Sequence, residues 1–205
     1  MVRYYTDDCT YNLKNKRLIA KWLKAVAEAE GYTLGDITYI FCSSQVHRKM
    51  NIDFVGHDYF TDIITFDYSD RKGSGVVSGD IFIDVETVKD NARIYGATAR
   101  QEMHRVVVHG VLHLCGQGDK TPRTEKQMHR KEDKYLALLD EMVQQQENSK
   151  FRIQNSKLFL IYLSLLSIQI VTGPSLRSST FISAPKRPQG MGLPRVVESL
   201  ALKDS

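Results

Sequence analysis

The segment His109-Gly-Val-Leu-His113-Leu-Cys-Gly116-Gln-Gly-Asp119 constrains this chain more than any other. On a helix, about 100° of rotation per residue brings positions i and i+4 nearly into line, so both imidazoles share one face. Neutral imidazoles so placed can donate to a single divalent metal ion. The neighbours Val106, Val107, Val108, Leu112 and Leu114 are apolar, which predicts a buried helix. Imidazoles on such a helix need polar partners. Gly116 can end the helix in the left-handed conformation, turning the chain back so that Asp119 is offered as a third, oxygen donor. A histidine pair that only packs is the bland alternative. The glycine and the acidic residue at this spacing favour the metal. Three protein ligands with one position left open describe a catalytic zinc rather than a structural one. The expected cofactor is therefore one Zn2+ per chain, held by His109, His113 and Asp119.

Around this helix the sequence moves between the two periodicities of secondary structure. Leu18, Ile19, Trp22, Leu23 and Val26 share one face of a predicted helix over Lys14–Glu30, with Gly31 past its end. Asp36–Cys42, Thr61–Tyr68 and Val76–Val85 read as strands, the last after the turn Lys72-Gly-Ser-Gly75. Ser44–Asn51 reads as a short helix, and Glu86–Tyr95 and Thr98–Cys115 as longer ones. Pro122 opens a final helix carrying Met128, Tyr135, Leu138, Leu139 and Met142 at core-facing spacing. The fold class this implies is α+β: a small mixed β-sheet packed by helices, with a central helix carrying the HGxLHLxG motif.

The motif resembles the signature of the YbeY family of single-domain metal-dependent endoribonucleases, H-G-x-L-H-L-x-G-x-D-H, where this chain reads HGVLHLCGQGDK. Two further blocks are similar to the family in the same order. One is Met50-Asn51-Ile-Asp-Phe54 followed by Thr61-Asp62-Ile63-Ile64-Thr65-Phe66, and the other is Gly79-Asp80-Ile81-Phe82-Ile83. The family's usual third ligand is a histidine where this chain has Asp119, although a branch of the family looks similar here. His129 on the next helix is the competing donor. Many members carry an arginine after the aromatic residue, thought to contact RNA phosphate. Here that position is Val55, so Arg48 or Lys49 replaces it only if the fold brings them near. Arg105, beside the ligand helix, is a further RNA-binding candidate. By family position Asp62 is the catalytic candidate, against the alternative of a strand carboxylate capping a loop.

The resemblance implies a zinc-dependent, single-strand-specific endoribonuclease of ribosomal RNA maturation, including 16S rRNA 3′-end processing, and of ribosome quality control. Its partners would be ribosomal RNA and the small ribosomal subunit, with no DNA and no stable membrane partner. Bound zinc activates water near neutral pH and polarises phosphoryl oxygens. Two other classes compete. A non-catalytic ribosome-assembly factor would use the zinc only to brace the fold. A metzincin-like metalloprotease shares the histidine spacing, but it needs a glutamate general base directly after the first histidine, where this chain has Gly110.

A net charge of +4 and a pI near 8.9 are compatible with RNA without demanding it. Cys9, Cys42 and Cys115 are odd in number and scattered, which argues against a disulfide framework and for a reducing cytoplasm. The opening residues, Met-Val-Arg-Tyr-Tyr-Thr-Asp-Asp, lack the apolar core of a secretory signal. The family-like domain is expected over residues 1–147. Residues 148–205 read as an atypical, disordered C-terminal extension. Within it Leu158–Val171 is nearly uncharged and apolar, short of the ~20 residues needed to cross a bilayer. Thr172–Ser205 is rich in Ser, Pro, Gly and Arg with no regular period.

Overall fold

The computed structural model describes residues 1–56 and 61–171. Its elements run β1 (Val2–Asp7), α1 (Lys16–Ala29), β2 (Thr33–Cys42), α2 (Ser44–Met50), a π-helical turn (Asn51–Val55), β3 (Ile63–Asp67), β4 (Val76–Asp84), α3 (Val85–Ile94), α4 (Ala99–Leu114) and α5 (Pro122–Val171). Among the described residues the sheet has four strands in the order β1-β2-β4-β3. β1, β2 and β4 are parallel, and β3 closes the edge antiparallel to β4. The class is α+β with a mixed sheet, as the sequence predicts.

The sheet gains one fully packed face from strict alternation. Ile37, Tyr39 and Phe41 of β2 and Val77, Ile81 and Ile83 of β4 are buried, while their neighbours are mostly half-exposed. Ile63 and Thr65 of β3 lie opposite Ile83 and Ile81 and so share that face. The reverse face carries a smaller aromatic cluster, with Phe66 edge-on to both Phe54 and Phe82 at 5.5 and 5.7 Å. Two polar anchors fix the helices. Trp22 Nε1 donates to the Tyr135 carbonyl at 2.7 Å, tying α1 to α5, and Tyr39 Oη donates to the Val107 carbonyl at 2.8 Å, tying β2 to α4.

Local chemistry sets the helix ends. Asp84 accepts from the backbone amides of Glu86 and Thr87, and Thr98 with Gln101 forms a reciprocal capping box on α4. Gly116, at φ +87°, ends α4, with its amide donating to the His113 carbonyl and that of Gln117 to Leu112. Between Pro122 and Gly173 the sequence has neither glycine nor proline, and α5 runs uninterrupted to Val171. Residues 148–171, expected to be disordered, are thus helical, and the expectation for Thr172–Ser205 lies outside the described residues. The chain divides into two compact units, Met1–Lys157 and Leu158–Ser205. Leu158–Leu163 of the second are exposed. Among the described residues no helix is long and apolar enough to cross a membrane.

Candidate metal centre

One stripe of α4, comprising Glu102, Arg105, Val106, His109 and His113, faces a cleft of about 630 Å3. Thr61 and Asp62 before β3, Asn91 of α3, Asp119 after α4, and His129 and Glu132 of α5 also line it. The turn at Gly116 delivers Asp119, whose Oδ2 lies 3.4 Å from His113 Nε2 and 3.7 Å from His109 Nε2. One donor atom from each of His109, His113 and Asp119 lies within 4.8 Å of the others.

The hydrogen bonds at the far side of each ring decide what these atoms can do. His109 Nδ1 meets Glu132 Oε1 at 2.7 Å, and His113 Nδ1 meets the Gln117 carbonyl at 2.9 Å. A carboxylate and a carbonyl only accept, so both Nδ1 atoms carry the hydrogen. In the neutral rings both Nε2 lone pairs therefore face inward, and those two atoms are 2.9 Å apart. Two lone pairs and a carboxylate oxygen aimed at one another repel unless a cation lies among them. The donor set fits a divalent metal ion, and fixing each tautomer from behind is what such ligands require. The two rings titrate differently. Burial opposes charging His109, but the Glu132 carboxylate outweighs it and raises the pKa; burial and then neighbouring His109 lower that of His113.

Glu132 is the hub that the sequence reading missed. Its side chain is only 2% exposed, yet its Oε2 also accepts from Arg105 and His129, both at 3.0 Å. Burial alone would raise its pKa, but the bonds from His109, His129 and Arg105 hold it down to about 2. The sequence carries only a partial signal, which becomes specific once α5 is packed against α4. Glu132 occupies the stripe of Met128, Tyr135 and Leu139 on α5, a carboxylate where the period calls for an apolar residue.

The other expected residues separate into two groups. Asp62 lines the cleft and accepts from Asn91 Nδ2 at 3.3 Å. Arg105 also lines it, but its guanidinium is engaged by Glu132 and by Asp133 at 2.9 Å. His129 turns its Nδ1 to Glu132 and is 62% exposed, so Asp119 is the residue brought to the histidine pair. Arg48 and Lys49 lie elsewhere, lining a separate surface hollow with Ser44, Gln45, Ile52 and Asp53. Cys115 is buried outside the cleft, and burial pushes its thiol up to about 12, so it packs rather than ligates.

Three comparisons bear on this arrangement. A family model described as "Endoribonuclease YbeY" matches residues 2–140. A protein of that name from Cytophaga hutchinsonii is 45% identical over 135 residues, spanning 66% of this chain and 93% of its own length. Another from Parabacteroides distasonis is 42% identical over 140 residues, covering 68% of this chain and 96% of the relative. With the family model matched over residues 2–140 and these relatives 42–45% identical over nearly their whole length, the chain belongs to the endoribonuclease YbeY family.

Proposed function

We propose that this protein is a zinc-dependent, single-strand-specific endoribonuclease acting in the cytoplasm on ribosomal RNA of the small subunit, including 16S rRNA 3′-end processing and ribosome quality control. The observation that carries the proposal is the convergence of His109 Nε2, His113 Nε2 and Asp119 Oδ2 in a cleft of a chain from this family. These three residues would hold the ion, with Glu132 and the Gln117 carbonyl keeping both imidazoles in the donating tautomer. When bound, zinc acts as a Lewis acid toward a phosphoryl oxygen and supplies positive charge where the displacement develops negative charge. Asp62 is the catalytic carboxylate of this reading, oriented by the Asn91 amide of α3. Arg105, bonded to Glu132 and Asp133, ties α4 to α5 beside the cleft.

One observation favours a second reading, a non-catalytic assembly factor whose metal braces the fold: the cleft is lined by carboxylates more than by cations. A nuclease assay separates the two. Zinc-restored protein cleaves structured ribosomal RNA in its single-stranded segments and metal-stripped protein does not, if the first reading holds. Equal inactivity of both, with the melting temperature alone responding to zinc, selects the second.

A further inference from the structure

The end of the cleft away from the histidines poses a separate problem. Glu102 is 7% exposed and lines the cleft. Among the described residues its carboxylate has neither a hydrogen-bond nor an ion-pair partner, for the nearby Arg105 is engaged by Glu132 and Asp133. Its oxygens are not sealed in the core but open onto the cleft, so whatever fills the cleft must satisfy them. Burial raises its pKa, with Asp62 and Glu132 adding to the rise against Arg105.

The donors around Glu102 differ in kind from those around Asp119. Thr61, Asp62 and Asn91 line the same cleft, and all offer oxygen. Asn91 spends its Nδ2 on Asp62 Oδ2, which leaves its amide oxygen and Asp62 Oδ1 available. Two imidazole nitrogens with one carboxylate suit zinc, whereas an oxygen-only set suits a hard ion such as magnesium or manganese. Charge points the same way. Asp62, Glu102, Asp119 and Glu132 face a single guanidinium in the cleft, a balance of three negative charges with the histidines neutral. One divalent ion leaves that balance negative, which repels a phosphodiester; a second makes it positive.

We infer that Glu102 and Asp62, with Thr61 and Asn91 beside them, form a second cation site that takes Mg2+ or Mn2+ and admits the RNA backbone to the cleft. The inference rests on the ribonuclease reading for its substrate, while the cation site itself can be measured without RNA. Asp62 then acts on the reacting phosphate through the ion it holds. Paired metal ions clamping the two sides of a phosphoryl displacement are a recurrent solution to the same charge problem.

The test uses the full zinc-loaded chain, with Mn2+ as the probe followed by electron paramagnetic resonance. One Mn2+ binds per chain beyond the zinc, Mg2+ competes for it, and Glu102→Gln weakens it at least tenfold with zinc content unchanged. Glu102→Gln in chelator should melt no lower than the parent, because among the described residues the carboxylate makes no bond that the amide would lose. Should that variant fail to fold, Asp62→Asn decides, with the same tenfold weakening expected. Unchanged Mn2+ affinity in the variants, no binding, or binding only after zinc is stripped overturns the inference. RNA affinity supplies a second arm. Mg2+ should tighten it in the parent and not in Glu102→Gln. Cleavage without a Mn2+ site defeats the inference and keeps the ribonuclease; a Mn2+ site without any RNA response keeps the site and defeats the ribonuclease.

Discussion

Replacing Glu132 by Gln tests whether the hub behind His109 is an electrostatic device or ordinary packing. The substitution keeps the shape and removes the charge. One amide oxygen can still accept from a single donor, while the amide NH2 is set against the remaining donors among His109, Arg105 and His129, which need acceptors. The carboxylate's pKa falls from an ordinary 4.5 to about 2, because the bonds from those three groups overcome its burial. At 1.36 kcal/mol per pH unit that corresponds to about 3 kcal/mol of stability at neutral pH. Losing two charge-assisted bonds, at roughly 1.5–3 kcal/mol each, gives the same order. For a chain of this size the melting temperature should fall by about 6–12 °C. The assay is urea and thermal unfolding of metal-free protein at neutral pH, parent against variant. The pH dependence has a definite sign. A depressed carboxylate stabilises fully above its unfolded pKa, so the gap between parent and variant should narrow as pH falls from 4.5 toward about 2. A gap under 1 kcal/mol at neutral pH, or one that widens in acid, refutes the reasoning. Zinc affinity gives an independent reading, with a 10–100-fold loss expected for a lost outer partner of a ligand histidine.

Three further outcomes are expected. His113→Ala removes one of three ligands, so metal analysis of the purified variant should find no stoichiometric zinc; retention of one ion per chain would locate the site elsewhere. Truncation after residue 147 should leave a folded, zinc-binding domain within about 1 kcal/mol of the full chain, and a loss of several kcal/mol in thermal melts would mean that Leu158–Val171 contributes to the core. Charge reversal at Arg48 and Lys49 should weaken binding to ribosomal RNA and flatten its salt dependence by roughly one unit of slope for each phosphate no longer neutralised. Since these two line a hollow apart from the histidines, an unchanged slope would confine the RNA path to the cleft.

Local periodicity was enough to read most of this fold, and the failures have physical causes. Where a helix or strand packs one face against the core its period is written in the sequence, and α1, β2, β4, α3 and α4 lie within three residues of their expected bounds. β1 was missed because Val2-Arg-Tyr-Tyr-Thr-Asp shows little alternation of its own. It is a strand by virtue of pairing in parallel with β2 some 35 residues away, Val2 opposite Ile37 and Asp7 opposite Cys42. The candidate metal-binding group was legible because two of its members share one helix and the third follows a glycine turn. Glu132 and Glu102 were not, since each reads locally as a solvated charge. Their place on buried stripes, Glu132 with Met128 and Tyr135, and Glu102 two turns before His109, becomes informative only once the partner helix is known.

Gly110 shows how the same helix separates a nuclease cleft from a protease one. It follows His109 directly, one step of about 100° around α4, and that step turns it from the cleft to the sheet. A Cβ placed there would stand 2.9 Å from Ile81 Cδ1 and 3.0 Å from Ile63 Cδ1. The glycine therefore lets α4 sit directly on β3 and β4, which sets how deep His109 lies and how near it comes to Asp62 on the loop before β3. A glutamate at this position, the general base of a metzincin, would push its carboxylate against two isoleucines instead of toward the metal ligands. The protease reading thus fails on packing as well as on sequence. Any proton or cation that the chemistry needs must come from the walls that do reach the cleft, where the carboxylates of Asp62 and Glu102 already stand.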